Sequence, residues 1–453
     1  MSNATFDILD KFNSLNVIIN LKKFGVYPAD INSPPVKSTY ILMDRLVELR
    51  INSTLGSGVP NGHIVVNDKS GELIDFIQDN NCFIDILITR WKDGFGPDSK
   101  TPVLDQNSQI NHTFIVSKFD IMETNQTEDK IKINIVSINF FLLLQNVLFS
   151  SENETSKNTL EQLKKLFSNL KTETDLIVPT DLKTDKKVSY ISTSNSTYTD
   201  AIEYLMDYGF ELKDGIISYT YNLLKRTFML WLYSQKDMDV FNSESTPHGK
   251  SIRFSAMIPS QIKAGQLEAL LIDDIALKSN IPTEHLYEKT ADLSELFFDY
   301  ESGIWTGSSY TTDSILKKLS TDLTNTENTS ELKLKPWNVT AYFGKIFNFK
   351  NNRTLTNGEE HLEKKIKSLF LENNYLVLRT NGWLSRTPGD PFTILANTGK
   401  ETRKTINMLI GRWTVISVSH IFMKNLYKNE IILGRNERVK DPIFVEVVAG
   451  SGE

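Results

Sequence analysis

Between Tyr40 and Arg90 the chain is cut by turns of hairpin length into short segments rich in apolar residues at alternate positions. No other feature restricts its fold as much. YILMDRLVELRIN is followed by the turn GSGVPNG, then HIVVND, a short turn or helical piece after KSG, and FIDILITRW. A second series, HTFIVSKFDIM and KIKINIVSI, is separated by the polar turn ETNQTED. Successive side chains of a strand point to opposite faces, so these segments predict half-buried strands, and connections this short join antiparallel neighbours. The strongest pattern of this kind is GRWTVISVSHIFMKNLYKNEIILGR, Gly411 to Arg435. Strict alternation puts Thr414, Ile416, Val418, His420 and Phe422 on one side and Trp413, Val415, Ser417, Ser419 and Ile421 on the other. Large apolar groups on both sides predict a hairpin buried on one face and partly covered on the other. Upstream of it a helix over GEEHLEKKIKSLFLENN, a strand YLVLRTNGW, a turn SRTPGDP and a strand FTILA complete a second, smaller β region.

Other stretches carry a different period. NTLEQLKKLFSNLKT places Leu160, Leu163, Leu166, Phe167 and Leu170 at helical spacing, and TYTDAIEYLMDYGFEL repeats this with Ile202, Leu205, Met206 and Phe210. The Ser and Thr residues of STSNSTYTD supply caps for a helix beginning near Asp200. INIVSINFFLLLQNVLF, from Ile133, is broken by Ser137, Asn139, Gln145 and Asn146, which makes it too short for a bilayer span and predicts a strand running into a buried helix. The division that results is an irregular N-terminal arm (1–39) ending after Pro34 and Pro35, a first β domain (40–150) and an α-rich insert (151–247). A mixed insert (248–358) follows, with plausible strands in IRFSAMIPS and LEALLIDDIAL and polar loops such as STDLTNTENTS. A second β domain (359–440) and a C-terminal tail (441–453) complete it.

At 453 residues the chain exceeds what one core supports, so several domains are expected. A 40% hydrophobic and 23% charged composition is that of an ordinary globular protein. A net charge of −6 disfavours stable nucleic-acid binding and suits a surface that nucleic acid passes without sticking. The single cysteine, Cys82, excludes an intramolecular disulfide and a thiolate zinc cluster, and its apolar surroundings predict a buried core position. The N-terminus lacks the basic and apolar regions of a secretory signal, so the nine N-x-S/T triplets are expected to follow from Asn abundance and not from glycosylation.

The six histidines, His63, His112, His248, His285, His361 and His420, show no metal-binding spacing. There is no nucleophile elbow and no phosphate-binding glycine loop; GSGVPNG and SGIWTGSSY are turns of other spacing. A carboxylate pair for glycoside hydrolysis could be drawn from Asp273, Asp274, Glu295, Asp299 and Glu301, and Trp305, Tyr310 and Trp337 could stack on a sugar. The first is a supply any acidic protein offers, and the second is more commonly core filling. The expectation is a non-enzymatic protein without cofactor or metal, in which His420 is a hydrogen-bonded structural residue.

Four stretches, in order, resemble the central baseplate hub proteins of contractile-tailed phages. They are LVELRINSTLGSGVPNGHIVVNDKSGELIDF with FIDILITRW; TFIVSKFDI with KIKINIVSINFFLLLQNVLFS; STYTDAIEYLMDYG; and NGWLSRTPGDPFTIL with the Gly411 to Arg435 hairpin. The resemblance implies a mainly β chain with α-containing inserts, made of two tail-tube-like antiparallel β-barrels plus an α-rich insert domain. It implies a homotrimer whose six barrels form a pseudo-six-fold ring joining a hexameric tail tube protein to a trimeric central spike protein. It also implies neighbouring baseplate wedge proteins, DNA only in transit through the lumen, no membrane insertion, and a virion tail location after synthesis in the host cytoplasm. The hub of a contractile injection system or tail-type bacteriocin fits equally, and a tail-associated cell-wall hydrolase or a carbohydrate-binding adhesin is the alternative of another class. Val65, Asp68, Ile86, Val116, Trp413, Val415, Val418, His420, Tyr427 and Ile431 are the expected barrel and assembly positions.

Overall fold

A computed structural model describes residues 15–23, 39–69, 71–78, 82–91, 104–124, 127–145, 158–170, 176–179, 182, 196–210, 215–234, 255–257, 272–279, 293–299, 304–310, 341–342, 347–348, 374–395, 409, 411–423 and 426–435. The described chain is mostly β, with few helices. Its first region contains β1 (Leu15–Lys23), β2 (Thr39–Ile41), β3 (Leu46–Thr54), β4 (Asn61–Asp68), α1 (Glu72–Gln78), β5 (Cys82–Trp91), β6 (Leu104–Thr124), β7 (Asp129–Ser137) and α2 (Asn139–Leu143). Next along the chain are α3 (Thr159–Asn169), α4 (Tyr198–Tyr208), β8 (Gly215–Asn222) and β9 (Thr227–Ser234). Then come β10 (Ser255–Met257), β11 (Ile272–Ser279), β12 (Leu293–Asp299), β13 (Ile304–Tyr310), β14 (Ala341–Tyr342) and β15 (Phe347–Asn348). The last strands are β16 (Asn374–Asn381), β17 (Pro391–Leu395), β18 (Gly411–Met423) and β19 (Leu426–Arg435).

Thirteen strands form one sheet in the order β11-β16-β19-β18-β3-β4-β7-β6-β5-β1-β2, with β17 beside β18 and β10 beside β17. Both β regions read from the sequence thus belong to a single sheet, and among the described residues no pairing closes either one into a barrel. β12 to β15 make a separate four-stranded sheet, and β8 and β9 a hairpin. The helix expected over GEEHLEKKIKSLFLENN and the STDLTNTENTS loop lie outside the described residues.

The two halves of the large sheet repeat one arrangement. β3, β4, β5, β6 and β7 pair as β3-β4-β7-β6-β5, and β11, β16, β17, β18 and β19 pair as β11-β16-β19-β18-β17. The irregularities repeat as well. A bulge interrupts β3 between Leu46 and Glu48 and β11 between Ile272 and Asp274. Another interrupts β6 between Val116 and Lys118 and β18 between Val415 and Ser417. An extra residue at the same place in both halves is a shared structural device.

One face of the first half carries Leu49, Ile51, Ile64, Val66, Ile84, Ile86, Ile131 and Ile133, all buried. Leu73, Phe76 and Ile77 of α1, Leu163, Leu166 and Phe167 of α3, and Ile202 and Leu205 of α4 join the same core. Both predicted insert helices are present. Thr197 caps α4 in a reciprocal box with Asp200, and Asn158 caps α3. The sequence reading missed the β8–β9 hairpin, whose Tyr219, Tyr221, Phe228 and Leu230 enter this core.

Three expectations need correction. The segment read as an irregular arm contains β1, whose Leu15, Val17, Ile19 and Leu21 are buried against β5. The helix after β7 is only five residues long and leaves Phe140, Phe141 and Leu144 exposed, with Leu143 and Asn139 buried. Strict alternation also fails in β18, because the bulge at Ile416 shifts every later side chain by one position. Trp413, Val415 and Val418 consequently share one face and pack together with Leu376, Leu378, Ile431 and Leu433.

Candidate assembly surface

The two halves meet where β18 pairs with β3, from Ser417 opposite Thr54 to Met423 opposite Glu48. The N-terminal part of β18 pairs instead with β17, from Gly411 opposite Ile394 to Thr414 opposite Pro391. One long strand therefore changes partner at its bulge, closing its own half with the first part and joining the other half with the second.

Across this joint the two faces differ. On one, Arg50 of β3 bonds Glu430 of β19, Ser419 of β18 and Asn52, while Arg379 of β16 reaches the same Glu430 at 3.1 Å. Asn52 continues to Asn61 of β4, and Thr54 and Ser417 share a hydrogen bond. Burial of Glu430 disfavours its charge, but the hydrogen bonds from Arg379 and Arg50 outweigh this and hold its carboxyl below the usual range. Further along, His63 lies 3.3 Å from Glu48, and Lys118 pairs with Asp120 at 2.7 Å. Burial and the Lys132 charge lower the His63 pKa, keeping the ring neutral at neutral pH. This face carries both signs of charge in paired rows, so its local field is smaller than that of a single-sign surface.

The opposite face holds a buried polar network under the 382–390 loop. His420 is 2% exposed, and its Nδ1 lies 2.8 Å from the Tyr427 hydroxyl and 3.1 Å from Asn429 Nδ2. Asn429 Oδ1 accepts the Trp383 N–H at 2.6 Å, and Arg386 donates to the Thr380 hydroxyl beside Trp383 and Phe392. Burial, with the Arg386 charge adding to it, pushes His420 down to about 3, and burial lowers Arg386 to about 10. His420 is thus neutral at neutral pH and hydrogen-bonded inside the fold. The loop is also held by β9. Trp231 Nε1 donates to the Gly389 carbonyl at 2.7 Å, and Gly389 sits at φ +90°, where a Cβ would lie 2.5 Å from the indole.

The ten positions singled out from sequence fall in these strands, and all but Val116 are buried. Ile86 fills the core of the first half, and Val116 packs against it from the residue before a bulge. Asp68 is 1% exposed. It accepts the Arg45 guanidinium at 3.1 Å and the Leu73 and Ile74 N–H groups at 3.0 and 3.3 Å, anchoring α1 to the end of β4. Val65 is buried outside that cluster, between Glu48 and Lys132 in the strand register. Trp413, Val415, Val418 and Ile431 form the second core, while Tyr427 stacks on Phe422 at 4.4 Å between ring centres. His112, also buried, is held by Ser137 at 2.6 Å. His248, His285, His361 and Glu301 lie outside the described residues. Sequence reading missed Arg50, Glu430 and Arg379, although the run Glu48, Arg50, Asn52 at alternate positions of β3 marks a polar face.

No family model matches the chain, and no curated protein matches it. Among solved structures it is similar to the tail protein from Neisseria meningitidis MC58, at TM-score 0.48 and 9% identity over 93% of this chain and 97% of that one. It is similar to the 43 kDa tail protein of prophage MuSo2 from Shewanella oneidensis, at 0.46 and 9% over 93% and 99%. It is also similar to prophage tail protein gp18 from Listeria monocytogenes EGD-e, at 0.36 and 11% over 93% and 95%.

Proposed function

We propose that the chain is a structural, non-enzymatic hub of a contractile phage tail baseplate. In this reading three copies form a ring of six β units that joins a hexameric tail tube to a trimeric spike and leaves a lumen for DNA. The observation that carries it is the duplication of one five-strand arrangement within a chain, with the two copies joined side by side in a continuous sheet. A connector between six-fold and three-fold partners must present six equivalent contacts on one side and three on the other, and three chains of two like units do so. The mixed-charge face spanning Arg379, Glu430, Arg50 and Lys118 suits a wall that a phosphate polymer passes, since paired charges do not accumulate counter-charge. The hub of a contractile injection system would use the same architecture.

The test is solution mass with negative-stain imaging of the chain alone and co-expressed with its tube and spike partners. An annular particle of three chains is the expected result. A compact monomer under both conditions overturns the reading, as would lytic activity on a cell-wall zymogram that is lost on changing Asp273, Asp274, Glu295, Asp299 or Glu301.

A further inference from the structure

We infer that copies of this chain join edge to edge through the C-terminal half of β6 on one copy and the outer edge of β11 on the next, in the arrangement that β18 and β3 already show within one chain. This rests on the ring reading above and specifies the joint between subunits.

Each chain contains the joint once in completed form and, among the described residues, presents its two halves once more without a partner strand. In the second half of the sheet, β17 accompanies β18 only to Thr414, and beyond the bulge β3 takes that side. In the first half, β5 accompanies β6 only to Ile115, and beyond the bulge β6 continues to Thr124 paired, among the described residues, with β7 alone. The strand equivalent to β3 in the second half is β11. Among the described residues it pairs with β16 alone. Open strand edges carry a row of unpaired N–H and C=O groups and are templates for another strand. The free part of β6 leaves Ile121 and Met122 51% and 52% exposed, and it also carries Lys118, Asp120 and Glu123. Charges and bulges of this kind keep an edge from pairing indiscriminately while leaving it open to one matched partner.

The register follows from the repeat. Aligning the bulge of β6 at Ser117 with that of β18 at Ile416 matches Phe119, Asp120 and Ile121 to Val418, Ser419 and His420, and the β7 and β19 pairings agree. Aligning the bulges of β3 at Val47 and β11 at Asp273 matches Ser53, Asn52 and Ile51 to Ser279, Lys278 and Leu277. Within the chain Val418 lies opposite Ser53, Ser419 opposite Asn52 and His420 opposite Ile51. Between chains, Phe119 then lies opposite Ser279, Asp120 opposite Lys278 and Ile121 opposite Leu277. An acidic and a basic residue, and two aliphatic residues, fall at paired positions, as antiparallel neighbours favour. β6 has a second bulge at Met122 that β18 lacks, so the assigned register stops at Ile121. Because the two surfaces differ, the contact is head to tail, and repeating it closes a ring when the rotation per step permits.

The test is cysteine cross-linking of the full chain in a Cys82→Ala background. Asp120→Cys and Lys278→Cys are made as separate proteins, mixed and oxidised. The equivalent in-chain pair, Ser419→Cys with Asn52→Cys, calibrates the geometry and reports that the fold is intact, and Asp120→Cys mixed with Asp274→Cys is the off-register control. The expected result is a covalent dimer only on mixing, in at least about tenfold excess over the off-register control, because a disulfide tolerates only a narrow range of Cα separations. Native mass is measured on the same samples, with and without tube and spike partners. An annular oligomer without this cross-link overturns the joint and leaves the ring reading standing. Absence of any oligomer under both conditions overturns the ring reading and the joint together.

Discussion

Lowering the pH should weaken this protein through His420 in a calculable way. Nδ1 of the ring faces the Tyr427 hydroxyl and the Asn429 side-chain amide nitrogen, and the ring also bonds the Arg386 backbone. A proton added at Nδ1 would face the amide donor of Asn429 with the buried Arg386 guanidinium nearby. The folded ring therefore takes a proton only near about 3, against 6.5 for the free side chain. The sign follows from proton uptake. Below 6.5 the unfolded chain binds a proton that the folded chain refuses, so stability falls as pH drops toward 3 and is unaffected above neutrality. Between about pH 7.5 and about pH 5 this one group should remove about 2 kcal/mol, from 1.36 kcal/mol per pH unit of differential binding. His112, held at about 4 by its burial and the Arg226 charge, acts in the same direction. The assay is the urea midpoint at both pH values, followed by tryptophan fluorescence and amide circular dichroism, for the natural chain and for His420→Gln. Gln lowers stability at every pH, so the informative quantity is the difference between the two pH values. In His420→Gln that difference should shrink by about 2 kcal/mol. An unchanged pH dependence would refute the assignment of His420 as a buried neutral acceptor.

Two further substitutions probe the framework around the joint. Asp68→Ala strands the Arg45 guanidinium and two N–H groups of α1, and should cost about 3 kcal/mol at neutral pH in urea unfolding, with Asp68→Asn costing less. Gly62→Ala puts a Cβ 1.9 Å from the Arg50 carbonyl oxygen, a backbone atom fixed by the β3–β4 ladder, so the strands must part. Its cost should exceed the usual ~1–3 kcal/mol of overpacking, with loss of the folded fraction read by near-ultraviolet circular dichroism, and a chain that keeps its urea midpoint would contradict this packing.

What could be read from the sequence was whatever depends on near neighbours in the chain. Alternation and turn chemistry located β3 to β7 and β16 to β19, and helical spacing located α3 and α4. The β1 strand escaped because its apolar run, Leu15 to Leu21, is flanked by polar sequence, and its partner β5 lies far along the chain. The repeat escaped for a more basic reason. Equivalent positions keep burial and not identity, with Ile64 standing for Leu378, Ile84 for Phe392 and Phe114 for Trp413. A core demands that summed volume be filled, and different residues can fill it in each half, so the duplication is visible only in pairing order and in bulges. Bulges are also where sequence reasoning about His420 was incomplete. Its face in β18 is set by the extra residue at Ile416, and without that shift Trp413 and Val415 would point away from Val418 and the second core could not form. The same one-residue shift ends the pairing with β17 and begins the pairing with β3. Its counterpart at Ser117 of β6 stands where, among the described residues, pairing with β5 ends, so one device both sets each half's core and marks the strand segment that the proposed joint uses.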